Sequence, residues 1–409
     1  MEKTLSLYID NDELKISNNL KIMMKKIFSG SRINFLLGAG FSANILHTLN
    51  NNEIIFDSIR KINNDIKGKV IIESFLYWKY FYYSIYPINN ILCNPNDFEI
   101  YNDFSNILYN IFSIRSNPVL DKQFNIFTTN YDPIIELMFD NSLCICNDGF
   151  EGRINPVFST DNYSKSYYRQ AIFSNRKSEI PSVNLIKIHG SITWEKIDDS
   201  TIKYKLYYDL IKKFHDKFHE LFDVEILEEI SSRLKAETEH EVTEKINQLI
   251  SSNIFNDIIE QYSNYEEMLN EYKKSFFIVN PTKEKFNDTL LNKNYYELLR
   301  IFSNELEKEN TVLITYGFSF RDEHILDLIK RSMINPSLKI LIFCYKKSEI
   351  YEFNQLFVNS KNNNISYIFM ESEKDENGNE INTLTLDKLN EIFSCVCNIK
   401  GEMNVKRFL

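Results

Sequence analysis

Glycine is scarce in this chain, 10 in 409 residues, against an average usage of roughly 7%. Each glycine that remains marks a place where a side chain would be intolerable. Positive charge is also in deficit. With 47 basic against 57 acidic residues the formal net charge is -10, so the overall balance does not draw the chain to nucleic acid. Long apolar runs are missing too. The opening MEKTLSLYIDNDELK has no apolar core of signal-peptide length, and the aromatic stretch from Ile71 to Cys93 is broken by Glu73, Lys79 and Pro87, which argues against a leader and a membrane span. A soluble, cytoplasmic protein is the expectation.

The six cysteines, Cys93, Cys144, Cys146, Cys344, Cys395 and Cys397, include no C-x-x-C pair. Four fall in or beside apolar runs, so a reduced, buried role is expected. The two C-x-C pairs do not have the usual structural zinc spacing, and no metal is expected. What is present is globular in kind: 43% hydrophobic, 14% aromatic and 25% charged residues lack the signature of disorder. The length suits one large domain with an insertion, or two or three smaller ones.

Along the chain, RINFLLGAG reads as a buried strand entering a tight turn, and FSANILHTL as the opening of a helix. Amphipathic helical stretches follow over Glu53 to Tyr86 and Asp97 to Ile114. QFNIFTTN is a second strand, and YDPIIELMF a helix with Asp132 at its cap and Pro133 at its first position. VNLIKIHGS is a third strand, and a strand-like piece lies around Lys203 to Tyr208. Residues 209–275 are charged, free of glycine and helical in period. Alternation then resumes with SFFIVN, TVLITYGFSF, LKILIFCY and ISYIFM as strands between helices. The fold class is therefore α/β, a Rossmann-like, mostly parallel sheet with helices on both faces and an inserted helical subdomain. The expected layout is an N-terminal helix over 1–30, Rossmann-like parts over 31–208 and 276–370 around a helical insertion over 209–275, and a C-terminal turn region and helix over 371–409.

In such sheets ligands bind beyond the carboxyl ends of the strands, and four strands end in distinctive residues. The first is the turn Gly38, Ala39, Gly40, Phe41, Ser42, which suits a pyrophosphate if backbone N–H groups and a helix N-terminus face it; a plain tight turn is the alternative. The second ends at Thr129, Asn130 and Asp132, able to orient a ribose or a water, or to cap a helix. The third ends at His189, Gly190 and Ser191, where an imidazole can serve as base or simply close a strand. The fourth ends at Gly317, Phe318 and Ser319. Elsewhere, His215 and His219 in HDKFH lack the Glu of a zinc-protease motif and read as a solvated helix face, while His324 reads as surface or cap chemistry.

Taken in order, GAGFSAN (Gly38 to Asn44), TTNYD (Thr128 to Asp132), IHGS (Ile188 to Ser191) and YGFSFRDEHI (Tyr316 to Ile325) resemble the sirtuin superfamily in its divergent prokaryotic defence branch. The resemblance covers about residues 30–350. It implies that Gly38, Ala39, Gly40 and Ser42 cradle the phosphates of NAD, that the amide of Asn130, with Asp132, sits by the nicotinamide ribose, and that His189 acts on the ribose hydroxyls. It also implies that Gly317 and Ser319 contact ribose and phosphates, with Phe41, Thr129 and Phe318 beside them in the same motifs. Two departures matter. The first cysteine after His189 is Cys344, so the four-cysteine zinc module of protein deacylases is missing, and ANILHTLNNNE stands where those enzymes read G-I-P-D-F-R. The resemblance therefore implies NAD hydrolysis to nicotinamide and ADP-ribose in antiphage defence by abortive infection. A sensor of NAD or ADP-ribose derivatives without turnover, or a zinc-free deacylase or ADP-ribosyltransferase, stays open. A homo-oligomer is implied, with a HerA-like ATPase or a phage protein as partner or trigger, and the helical insertion over 209–275 is the expected oligomerisation or partner surface.

Overall fold

The computed structural model describes residues 4–10, 13–46, 55, 58–59, 66–93, 98–117, 119–198, 201–234, 239–250, 259–276, 278, 293–358, 364–371 and 382–397. In chain order its strands are β1 (Thr4–Asp10), β2 (Glu13–Lys15), β3 (Arg32–Leu37), β4 (Gln123–Thr128), β5 (Ile145–Asn147), β6 (Phe150–Glu151), β7 (Val157–Phe158) and β8 (Tyr168–Gln170). There follow β9 (Lys177–Glu179), β10 (Ser182–Lys187), β11 (Trp194–Lys196), β12 (Ile202–Tyr204), β13 (Thr311–Tyr316), β14 (Lys339–Phe343) and β15 (Ile365–Met370). Nine of them form one sheet in the order β2-β1-β15-β14-β13-β3-β4-β10-β5. Every pairing in it is parallel except that of β2 with β1.

A parallel sheet must be covered on both faces, so its strands are apolar on both sides. Ile33, Phe35 and Leu37 of β3 point to one face and Leu36 to the other. Helices Asn18–Gly30, Glu99–Ser113, Ile134–Asp140 and Leu386–Cys397 cover the first face; Lys293–Glu307, Glu323–Ser332 and Glu349–Leu356 cover the second. From β3 the chain moves outward to β4 and on to β5, returns to β10 between them, then crosses to β13 on the other side of β3 and moves outward again. The boundary of β3 and β13 is therefore the switch point, where such sheets open a crevice.

Several expectations are corrected. Residues 1–30 hold more than a helix: β1 and β2 form an edge hairpin ahead of Asn18–Gly30. After the glycine turn the chain makes a single 3-10 turn, Ala39–Phe41, and no helix begins among the described residues up to Leu46; the rest of FSANILHTL lies outside them. Helix Ile66–Tyr80 is buried nearly all round rather than amphipathic, because the helices of the 208–275 segment pack against its outer side. Trp78 stacks on Phe222 at 4.8 Å, Tyr77 meets Tyr272 at 4.8 Å and Phe81 meets Phe214 at 4.7 Å. The helical segment thus shares a continuous core with this helix and the sheet. Of SFFIVN only Ser275, Phe276 and Ile278 are described, Ser275 ending a helix and Ile278 forming a lone bridge to Gly190. A small antiparallel sheet, β11-β12-β7-β6, packs its Phe158, Trp194 and Ile202 onto the second face.

Buried within that second face is a ladder of asparagines. Asn34, Asn125, Asn184 and Asn147 stand opposite one another on β3, β4, β10 and β5. Their amides bond in series, Asn125 to Asn34 at 2.7 Å, Asn184 to Asn125 at 3.0 Å and Asn147 to Asn184 at 3.0 Å. The series stops at Asn34, whose neighbour on β13 is Leu313 and whose Nδ2 finds no partner among the described residues. An unpartnered buried donor costs about 1–3 kcal/mol. Replacing Asn184 by Leu orphans groups on both sides of it, and urea denaturation should record a loss on the order of 3 kcal/mol; a loss below about 1 kcal/mol would show that the ladder does not hold the strands.

Candidate active site

The site begins where two backbones touch. Gly38 and Gly40 follow β3, Gly317 follows β13, and the strands place them side by side because Leu37 stands opposite Tyr316. Gly38 N–H donates to Tyr316 O at 3.1 Å and Gly40 N–H to Gly317 O at 2.9 Å. A Cβ on Gly38 would lie 2.5 Å from Gly317 O, and one on Gly40 2.6 Å from Gly317 Cα. Gly317 has φ +64 and a Cβ there would lie 2.5 Å from Phe41 N. The glycines are thus required by each other's loops, whether or not a ligand approaches the turn. The backbone N–H groups of Gly38, Gly40, Phe41 and Ser42 all donate within the protein, and Ala39 is the exposed residue of the turn.

Side chains then link the turn to the next strand end. Asn130 Nδ2 donates to Gly38 O at 3.0 Å and to Ser42 Oγ at 2.9 Å. Ser42 Oγ donates to Asp132 Oδ2 at 2.9 Å, and Asp132 Oδ1 accepts from Ile134 N–H at 3.1 Å. The helix starts at Ile134 with Pro133 at its cap, one residue later than the sequence pattern predicts, and Asp132 holds the first helical N–H from the residue before that cap. Both amide hydrogens of Asn130 are spent in the loops, so Oδ1, an acceptor, is what it can offer a ligand. Burial raises the pKa of the Asp132 carboxyl, while the Lys187 ammonium and the two hydrogen bonds pull it down.

Lys187, the last residue of β10, is a member of this cluster that the sequence reading does not single out. Its side chain is 3% exposed, and its Nζ sits 2.7 Å from Glu136 Oε1, 3.1 Å from Ser191 Oγ and against Asp132 O. Ile192 N–H and Ser191 Oγ both donate to Tyr131 O, at 3.1 Å each. One ammonium thus ties the loop after β4 to the loop after β10. The available signal is a charged residue ending the apolar run VNLIKI, since a buried charge needs a partner. Tyr131 rests edge-on against Tyr80 at 5.7 Å, immediately before a single π-helical turn, Phe81–Ile85, an irregularity frequent at functional sites.

His189 is 5% exposed, and its Nε2 lies 3.3 Å from Nε2 of His324, itself 8% exposed at the start of Glu323–Ser332. His324 is therefore buried beside His189, which corrects its reading as surface or cap chemistry. Of the other predicted residues, Phe41 is in the core against Tyr101, Phe104 and Tyr316, so only its backbone could reach a ligand. Phe318 is buried against Phe320, Thr129 is half-buried and Ser319 is exposed at the rim. The structure brings Gly38, Gly40, Ser42, Asn130, Asp132 and Gly317 into one bonded cluster and puts His189 on the neighbouring strand end.

Away from the site, His215 is half-buried rather than on a solvated face: it stacks on Tyr86 at 4.0 Å and, within the helical segment, on the exposed His219 at 5.2 Å. Cys144 and Cys344 are buried free thiols, raised in pKa by burial. Among the described residues no group of three or more His, Cys, Asp or Glu side chains could hold a metal ion, and no helix is long and apolar enough to cross a membrane. A surface cavity lined by Asn19, Met23, Lys26 and Lys339 lies at the opposite, amino-terminal edge of the sheet. No family model matches the chain, and no curated protein matches it.

Two measurements follow. Gly317→Ala forces a side chain into the left-handed region and into Phe41 N, and should lower unfolding stability by about 2 kcal/mol or more; a thermal melt within about a degree of the parent would refute the contact. Burial lifts Glu136 from 4.5 to about 7, against the pull of Lys187. The folded chain then keeps a proton that the unfolded chain releases, so this contribution is full below pH 4.5 and is lost as pH rises to about 7. Glu136→Gln should remove a fall on the order of 3 kcal/mol across that window. Urea curves at both ends of it, parallel for parent and variant, would contradict this.

Proposed function

We propose that the chain is an NAD glycohydrolase, cleaving the bond between nicotinamide and ribose to give nicotinamide and ADP-ribose. The observation that carries this reading is the convergence, at the switch point, of Asn130 bonded to the glycine turn with His189 on the adjacent strand end. The ordered motifs that resemble the sirtuin defence branch support it, because they assign the same positions to NAD.

The chemistry suits these groups. Nicotinamide leaves with the electron pair of the C–N bond, and the ribose passes through an oxocarbenium-like state that needs polar positioning more than a strong acid. Asn130 offers an amide oxygen, which can stabilise developing positive charge or accept a ribose hydroxyl without attacking the ribose itself. His189 accepts the proton of the water that adds at the anomeric carbon. The exposed Ala39 and Ser319 and the half-buried Gly40 and Gly317 line the rim where the phosphates would lie.

Depletion of NAD would serve abortive infection in the bacterial cytoplasm, and such an enzyme needs restraint. Homo-oligomerisation and a HerA-like ATPase or a phage protein as trigger complete the proposal, with the helices of 208–275 as the contact surface. The purified chain should release nicotinamide from NAD, alone or with its trigger, and Asn130→Ala and His189→Ala should each abolish that release. Turnover that survives both substitutions would sink the assignment; NAD binding with no release under any condition would favour a sensor.

A further inference from the structure

We infer that copies of this chain associate head to tail, the hairpin of β8 and β9 on one copy docking against the acidic helices of the next. The inference rests on the proposed self-association through the helices of 208–275 and needs no turnover of NAD. β8 and β9 pair only with each other, and every residue from Tyr168 to Ser178 is exposed. At the tip, Ile172 and Phe173 are 91% and 98% exposed. A two-stranded hairpin with nothing packed on it is marginal in water, and large apolar side chains standing together at its tip mark an interaction site.

Charge identifies what covers that tip. Arg169, Arg176 and Lys177 flank it, and no acidic residue lies between Ser166 and Ser178. Residues 220–271 are the opposite, with 14 acidic against 3 basic residues, which is enough to account for the whole net charge of -10. Among them Val224 is 60% exposed at the start of Val224–Arg233, beside the exposed Asp223, Glu225 and Glu228. An apolar spot ringed by carboxylates complements an apolar tip ringed by cations. The two surfaces belong to opposite edges of the main sheet. The hairpin is tied to the start of β4, where Lys122 N–H donates to Glu179 Oε1 at 2.9 Å and Gln123 Nε2 to Lys165 O at 3.0 Å, and it leads into the first residue of β10, Ser182. That is the amino-terminal edge. The helices lie toward the carboxyl edge: the helix they cover brings Tyr80 against Tyr131 after β4, and Ile278, just beyond Tyr262–Ser275, bridges Gly190 after β10. Each hairpin thus stands at the far edge from its own chain's helices, and the matching surface within reach is on another copy. A contact between two different patches closes into a ring or extends as a filament.

The test is sedimentation velocity of the full chain, at low salt and at about 1 M salt, where exposed charges are screened. The parent should associate at low salt and dissociate at high salt. Phe173→Ser, and separately Arg169→Glu with Arg176→Glu, should each weaken association at least about 10-fold. Glu225→Lys with Glu228→Lys should do the same. A mixture of the two charge-reversed chains should associate again, because a reversed hairpin then meets a reversed helix. All five positions are exposed, and circular dichroism matching the parent checks that each variant folds. Association that ignores the hairpin substitutions would overturn the inference and leave self-association by another surface. A parent that stays monomeric would overturn both, while nicotinamide release from the same sample decides the hydrolase reading separately. A monomer that the hairpin carries onto vesicles of anionic phospholipid would also overturn it, by giving the tip a lipid occupant.

Discussion

The carboxyl edge of the sheet depends on a single constraint, the approach of the loop after β3 to the loop after β13 with no side chain between them. Gly38, Gly40 and Gly317 meet backbone to backbone, and this contact sets how far apart the two halves of the switch point can stand. Every later bond is built on it. Gly38 O is available to Asn130 only because the turn is pinned to Gly317, and Asn130 in turn holds Ser42, which holds Asp132.

Beneath that contact lies an unusual density of buried polar groups. Asp132, Glu136 and Lys187 sit together where water is scarce, and both carboxyls are raised in pKa by burial. Such a cluster is weak as a source of stability, since desolvation consumes most of the Coulomb attraction. Its use is geometric. One ammonium bonded to Asp132 O, Glu136 and Ser191 fixes two loops at once, which is the support a site on loops requires.

Much of this was legible in the sequence, and the reasons are physical. Parallel strands buried on both faces leave unbroken apolar runs, so β3, β4, β10, β13, β14 and β15 stand out, and their ends mark the site. β1, next to the edge strand β2, did not: only its Leu5 and Leu7 are buried while Thr4, Ser6 and Tyr8 are exposed, so it has no unbroken apolar run. Lys187 and His324 were missed or misread because a lone charge or imidazole in a sequence looks the same whether it faces water or another residue 135 positions away. The scarce glycines pointed to the right place for an incomplete reason: what excludes their side chains is the protein itself.

The asparagine ladder has one further consequence. Asn34, Asn125 and Asn184 each stand three residues before the strand ends Leu37, Thr128 and Lys187. A slip of one residue would turn the amides onto the opposite face, and a slip of two would shift a strand by roughly 7 Å and separate the amides that now stand opposite one another. The ladder thus behaves as a ruler laid across four strands, calibrating the height at which each loop leaves the sheet. Loops above such a ruler can change in length and composition while the residues that begin them stay level.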